Sequence, residues 1–184
     1  FEPLRVVLAV GALLLGLERC GHGRALSVAL ERHGRDSEDA DLSATVGWFT
    51  RLALVQLSLP AGPDCGRHPL EQAVLAIKQA VRSARPQADP AAAARAQVVF
   101  NYLGRLDHSL PASDSLRAVD VGTGPWVDEA APRPYAFEIV ASADADGLHL
   151  DFQYSRDQAD PATVEAWAGA SRCWSSKASS WRWS

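Results

Sequence analysis

The chain has 184 residues, of which 47% are hydrophobic and 22% are charged. This composition is typical of one globular domain, or half of a larger one, and excludes a disordered chain. The net charge of −4, without any run of lysine and arginine, gives no reason to expect nucleic-acid binding.

The sequence contains no methionine and three cysteines, Cys20, Cys65 and Cys173. Without an initiator, we expect the chain to be part of a longer protein such as a multidomain enzyme. The cysteines are odd in number, far apart and form no Cys-x-x-Cys pair. This spacing favours reduced thiols in the cytoplasm and no zinc or other metal site.

An apolar run over residues 6–17 opens the chain. It is shorter than the ~20 residues that span a bilayer. Two charged residues stand before Cys20, where a lipoprotein signal needs small ones, so we reject an export signal. The run therefore predicts a buried core helix over residues 5–19.

Alternating residues next predict a strand over residues 25–31. One face of this strand is apolar, and the other is small until its last residue, Glu31. Because small side chains leave space beside a sheet, we expect Glu31 to project at the rim of that space.

The rest of the chain is predicted to alternate strands and helices. The predicted strands cover residues 52–59 and 97–103, with an amphipathic helix over 70–84 between them. A hairpin turning at Asp146-Gly147 joins strands 135–141 and 148–154, and Asp160 then caps a helix that begins at Pro161.

The tail over residues 171–184 is different in composition, being rich in serine, tryptophan and arginine without a helical period. We therefore divide the chain into a domain over residues 1–170 and an atypical tail. The loss of pattern favours a frameshifted or disordered end.

Three segments carry the candidate chemistry. The first is Glu-Arg-His-Gly-Arg-Asp at residues 31–36, and the second is Thr-Val-Gly-Trp-Phe-Thr at residues 45–50. The third is Phe-Asn-Tyr-Leu-Gly at residues 100–104. Each is weak alone, but their order and spacing together are specific.

The three segments resemble the epimerization domains of nonribosomal peptide synthetases. The resemblance covers residues 5–167 but only the second half of that domain, its C-terminal lobe. It implies an α/β fold, in which an open mixed β-sheet is flanked by helices as in a chloramphenicol acetyltransferase subunit. It further implies inversion of the α-carbon of an aminoacyl or peptidyl thioester, carried on the phosphopantetheine arm of a carrier protein.

Such an inversion removes the α-proton and returns one from the opposite face, which needs two proton-handling groups. By resemblance they are a glutamate on this lobe, at Glu31, and a histidine in a His-His-x-x-x-Asp-Gly motif on the other lobe. That motif is absent here, so we expect the chain alone to be inactive. On the strand pattern alone, the favoured interpretation of Glu31 is a solvated carboxylate at the end of the strand, or a salt bridge to Arg35.

The remaining site residues also follow from the resemblance, and each has a plainer alternative. Tyr102 is assigned a hydrogen bond to the thioester or enolate oxygen, against a core tyrosine with its hydroxyl at the surface. Substrate contacts are assigned to Trp48, Thr50 and Asn101, although packing is the stronger interpretation for Trp48 and Phe49, and local hydrogen bonding for Thr50 and Asn101. Structural roles in the turns are assigned to His33, Arg35 and Gly47, with Arg35 expected to pair with a carboxylate.

Two departures separate this chain from the family pattern. Arg32 stands where the family usually has glycine, and we expect its long side chain to crowd the turn. A Gly/Tyr-rich loop expected after residue 84 is missing. These departures favour one alternative, a non-catalytic scaffold that docks a carrier protein. A second alternative is a condensation domain fragment that forms peptide bonds, although residues 46–50 and 101–104 resemble the epimerizing type.

The expected partners are the upstream lobe and the peptidyl carrier protein of the same synthetase, with no nucleic acid and no membrane. No cofactor is expected to bind the chain directly, because the carrier presents the substrate on its own phosphopantetheine arm. The sequence does not specify which amino acid is inverted.

Overall fold

The computed structural model describes residues 2–35, 41–42, 44–59, 69–86, 95–105, 133–143, 147–172 and 181–183. Within these ranges, the helices are α1 (Glu2–Arg19), α2 (Pro69–Ser83) and α3 (Pro161–Arg172). The strands are β1 (Ala25–Arg32), β2 (Arg51–Ser58), β3 (Val98–Arg105), β4 (Phe137–Ala143), β5 (Leu148–Tyr154) and β6 (Trp181–Trp183). Every predicted element is present, with ends that shift by up to three residues. The short strand β6 lies in the tail, where no strand was predicted.

The strands form one mixed sheet in the order β2-β1-β3-β4-β5-β6. β1 pairs antiparallel with β2 and β4 with β5, whereas β1–β3, β3–β4 and β5–β6 are parallel. Parallel neighbours need a long crossover, and the chain between β1 and β3 supplies one through β2 and α2. The predicted open mixed sheet flanked by helices is therefore confirmed.

The helices cover one face of the sheet and bury the main core against it. Alternate strand residues point into this core because side chains on a strand alternate between its two faces. α1 contributes a buried run that confirms its prediction as a core helix, and no helix in the described part of the chain is long and apolar enough to cross a bilayer. Core residues include Val10, Leu13, Leu14, Leu26, Val28, Leu30, Ile77, Val98, Phe100, Ile139, Phe152, Val164 and Trp167.

The contact between α1 and α3 is especially close. A Cβ on Gly16 would lie 2.3 Å from the Ser171 hydroxyl and 3.0 Å from the Ser171 main-chain nitrogen, so only glycine allows this approach. The Trp167 indole Nε1 donates a hydrogen bond of 2.8 Å to the carbonyl of Leu13. As predicted, α3 begins after Asp160, whose carboxylate accepts a 3.0 Å hydrogen bond from the main-chain nitrogen of Thr163.

The second face of the sheet carries no described helix, and we call it the open face. Ala29, Ala96 and Val99 form a small buried patch on it, with the partly buried Tyr135 packed against them. The small face predicted for β1 is therefore present, and the Tyr135 side chain occupies part of the space beside it. Glu31 lies on the same face, two residues beyond Ala29.

Candidate active site

β1 and β3 part before either strand ends, and a groove opens between them. Their parallel ladder stops at the pair Leu30–Phe100, although β1 continues to Arg32 and β3 to Arg105. A groove of about 400 Å³ lies at this point, at the carboxyl ends of both strands. Ligands commonly bind at such ends in open α/β sheets. The groove is lined by Val6, Leu30, Glu31, Arg32, His33, Thr50, Val81, Asn101 and Tyr102.

The parting of the strands brings side chains from both faces of the sheet to one groove. Glu31 and Asn101 belong to the open face, whereas Arg32 and Tyr102 belong to the helix-covered face. In a continuous ladder the sheet itself would separate these two pairs. Because the ladder ends at residue 30, all four residues line the groove together.

Glu31 is a partly buried carboxylate in this groove. Desolvation raises its pKa above the usual value, and the negative charge of Glu138 raises it further. The pKa of Tyr135 is also raised, mainly because burial disfavours its charged form, and the negative charge of Glu31 raises it further. A carboxyl with a raised pKa is a better donor and acceptor of protons near neutral pH.

Tyr102 faces the groove from β3, and its hydroxyl is buried. Among the described residues the hydroxyl has no hydrogen-bond partner. The alternative of a core tyrosine with its hydroxyl at the surface is therefore wrong. A buried hydroxyl without a partner is unfavourable, so a ligand oxygen in the groove would stabilise it.

The sequence predicted that the Arg32 side chain crowds the turn after β1. That prediction is wrong, because the side chain lies against α2 instead. Its Nη2 donates a 2.6 Å hydrogen bond to the carbonyl of Val81. This carbonyl lies in the last turn of α2, where the helix offers it no main-chain donor and where a positive charge is favourable. The Nε atom of Arg32 is buried and has no partner among the described residues.

The turn after β1 is held by hydrogen bonds from Arg35. Its Nη1 donates to the carbonyls of Leu42 and Thr45 at 2.5 and 2.6 Å, and its guanidinium lies 4.4 Å from the centre of the Phe49 ring. Within the described residues its partners are thus carbonyls and an aromatic ring, not the expected carboxylate. The His33 Nδ1 accepts a 3.1 Å hydrogen bond from the Arg35 main-chain nitrogen, which supports the same turn.

The glycine that this turn requires is Gly34. Its φ is +62°, and a Cβ at this position would lie 1.7 Å from the carbonyl oxygen of Phe49. Gly47, which the sequence singled out, has no positive φ, and a Cβ there would meet the movable Phe49 ring at 3.0 Å. The backbone therefore requires glycine at residue 34, in the segment 31–36, and not at residue 47, in the segment 45–50.

We expect Gly34→Ala to destabilise the chain by about 2 kcal/mol or more, because both the backbone conformation and the contact with Phe49 oppose a Cβ. Gly47→Ala is the matched control and should cost less than about 1 kcal/mol. Urea unfolding of both variants measures the difference. Equal stabilities would contradict the assignment of the turn to Gly34.

The three residues 48–50 of the second segment differ in exposure and in their position relative to the groove. Trp48 is 92% exposed and lies outside the groove lining, so the prediction that it packs is wrong. Phe49 is partly buried beneath Arg35, as predicted. Thr50 lies at the exposed rim of the groove.

Comparison with known proteins identifies the family, although no family model matches the chain. A linear gramicidin synthase of Brevibacillus parabrevis is 29% identical over 175 residues, which cover 85% of this chain and 2% of that protein. Chondramide synthase cmdD of Chondromyces crocatus is 31% identical over 173 residues, covering 86% of this chain and 4% of that protein. The epimerization domain from the third module of tyrocidine synthetase B superimposes with a TM-score of 0.70 and 24% identity, covering 91% of this chain and 40% of that one.

The chain belongs to the condensation-domain superfamily of nonribosomal peptide synthetases. A further solved structure of similar fold is the X-domain from teicoplanin biosynthesis, in complex with OxyB. It superimposes with a TM-score of 0.57 and 22% identity, covering 91% of this chain and 38% of that one. This condensation-type chain thus spans less than half of each solved domain and a few per cent of each curated synthetase.

Proposed function

We propose that this chain is the C-terminal lobe of an epimerization domain, and that Glu31 exchanges a proton with the α-carbon of a carrier-bound aminoacyl or peptidyl thioester. The observation that carries the proposal is the position of Glu31. It is a partly buried carboxylate with a raised pKa, in a groove between two parting strands. The likeness to the tyrocidine epimerization domain supports it.

The chemistry requires three contributions. A base removes the α-proton, the electrons of the C–H bond move to the carbonyl oxygen of the thioester, and an acid on the opposite face returns a proton to the carbon. Glu31 serves as one proton-handling group, and the histidine of the missing lobe serves as the other. In this proposal the hydroxyl of Tyr102 donates a hydrogen bond to the carbonyl oxygen, which is supported by its burial without a partner among the described residues.

The proposal implies partners within the same cytoplasmic synthetase. The first is the upstream lobe, which supplies the second proton-handling group. The second is a carrier protein whose phosphopantetheine arm holds the thioester. Thr50 at the groove rim and Asn101 inside it are the residues proposed to contact that substrate. For the exposed Trp48, contact with a partner fits its position better than contact inside the groove.

Two alternatives remain within the superfamily. A condensation domain fragment would form peptide bonds, but residues 46–50 and 101–104 resemble the epimerizing type in sequence. A docking scaffold without catalysis would use the same fold to hold another protein. This second candidate is favoured by the X-domain, whose structure was solved in complex with OxyB.

The proposal is tested by measuring exchange of the α-proton for deuterium. The chain is combined in D₂O with the upstream lobe of a related epimerization domain and an aminoacyl-loaded carrier protein. We expect deuterium uptake and loss of chirality with both lobes present and neither with this chain alone. Peptide-bond formation without exchange would identify a condensation domain, and carrier binding without either reaction would identify a scaffold.

A further inference from the structure

Two buried hydrogen-bond donors that have no partner among the described residues belong to side chains that line the groove. Residues 28, 29 and 30 of β1 pair with residues 98, 99 and 100 of β3. Beyond the end of this ladder, Arg32 on β1 and Tyr102 on β3 both belong to the helix-covered face of the sheet. Both residues line the groove, and the Arg32 Nε and the Tyr102 hydroxyl are both buried without a partner among the described residues.

The charge of Arg32 also lacks a counter-charge among the described residues. The ion pair among those residues joins Arg24 to Glu18 and does not involve Arg32. The hydrogen bond from Arg32 to Val81 is to a neutral carbonyl. The carboxylate of Glu31 projects from the opposite face of β1 and, although it lines the same groove, makes no ion pair with Arg32 among the described residues. A guanidinium that is partly buried and not neutralised is unfavourable, and an anion within hydrogen-bond reach would stabilise it.

The hydrogen bond from Arg32 to Val81 fixes the guanidinium at the wall of the groove. Because Nη2 is bound to the end of α2, the orientation of the whole planar group is set, including its Nε–H. Val6, Leu30 and Val81 give the groove an apolar lining, which strengthens electrostatic interactions inside it. The volume of about 400 Å³ is much larger than a single water molecule occupies, which is about 30 Å³.

We propose that Arg32 Nε–H and Tyr102 O–H together form a two-donor site for an oxyanion in this groove. The site extends the proposed function, because the substrate offers two sources of such an oxygen. One is the enolate oxygen that forms on the thioester when the α-proton leaves. The other is the carboxylate of an acidic aminoacyl side chain.

Binding of acetate to the chain tests the site without any catalysis. In solution NMR, we expect acetate to shift the Arg32 Nε–H resonance and acetamide, which is similar in shape but neutral, to leave it unchanged. Tyr102→Phe should weaken acetate binding by about tenfold, and Arg32→Gln should abolish it. Arg156→Gln removes one exposed positive charge elsewhere and should bind acetate as the wild type does. Since the net charge of the chain is −4, general attraction of anions would not produce this pattern.

The result that would overturn the site is an Arg32 resonance that responds equally to acetate and acetamide, or acetate binding that survives Arg32→Gln. The wild-type measurement decides this even where a variant fails to fold. Arg32→Lys, which keeps the charge but loses Nε, should bind acetate more weakly than the wild type.

The source of the oxyanion is distinguished in the two-lobe exchange assay. If the site holds the enolate, Arg32→Gln slows α-proton exchange of alanyl and glutamyl thioesters by the same factor. If it holds a side-chain carboxylate, Arg32→Gln raises KM for the glutamyl thioester alone. A wild-type assembly without exchange would refute the proposed function, while the acetate measurement would still decide the oxyanion site.

Discussion

Glu31→Gln is expected to slow α-proton exchange in the two-lobe assembly by about 10²–10⁴-fold, which is the usual contribution of a general acid or base. Glutamine keeps the volume of the side chain and its carbonyl oxygen but neither accepts nor returns a proton near neutral pH. Since the groove and its other lining residues stay unchanged, binding of the carrier-bound thioester should persist. Deuterium uptake at the α-carbon, measured by mass spectrometry, gives the rate.

Glu138→Gln is the matched control for this result. Glu138 is an exposed carboxylate on the same face of the sheet, and it does not line the groove. Its removal takes away a negative charge that raises the pKa of Glu31. We expect exchange within a small factor of the wild-type rate, with the Glu31 limb of the pH profile moved to lower pH. If Glu31→Gln exchanges as fast as Glu138→Gln, Glu31 has no proton-handling role.

Trp167→Ala is expected to destabilise the chain by about 3–5 kcal/mol, as removal of large buried aromatic side chains generally does. Trp167 is 3% exposed and lies edge-on to the rings of Phe137 and Phe152, at centroid distances of 5.0 and 5.5 Å. It also joins α3 to α1 through its hydrogen bond to Leu13. Urea unfolding followed by circular dichroism measures the loss.

Two further variants separate the causes of that loss. Trp167→Phe keeps most of the aromatic packing and removes the indole donor, so it should cost about 1–3 kcal/mol. Glu165→Ala changes an exposed residue on the same helix and should leave stability within about 0.5 kcal/mol of the wild type. A Trp167→Ala variant as stable as Glu165→Ala would show that the helix packing described above is wrong.

The helices and strands could be predicted from the sequence because each has a clear period. The alternation of Val98, Phe100 and Tyr102 against Val99 and Asn101 placed these residues on the correct faces of β3. The cap at Asp160 and the buried helix α1 likewise depended on local patterns. The strand order could not be read in this way, because it depends on contacts between residues far apart in sequence.

The groove itself was only partly predictable. Its carboxylate was expected at the rim of a small-residue face, and Glu31 lies there. The end of the β1–β3 ladder at Leu30 was not predictable, since a strand pattern does not reveal where its neighbour leaves it. For that reason Arg32 was interpreted as an obstacle in the turn, whereas its side chain lies against α2 and lines the groove.

The two glycine-containing turns show why local chemistry alone was insufficient. Gly34 and Gly47 both stand beside polar and aromatic residues, and the sequence contains no signal for the sign of φ. The positive φ of Gly34 and the close approach of the Phe49 carbonyl to it distinguish the two glycines. The exposure of Trp48 was missed for a similar reason, because an aromatic residue next to a buried one was assumed to share its environment.

The early end of the β1–β3 ladder has a consequence for how such a protein could evolve. Leu30 and Phe100, the last pair of the ladder, are buried in the core, so truncating either side chain would lower the free energy of unfolding. Glu31 and Arg32 directly beyond them are only partly buried, and their side chains line the groove. Substitutions at these two positions can therefore change which ligand the groove selects at a smaller cost in folding free energy than substitutions in the core.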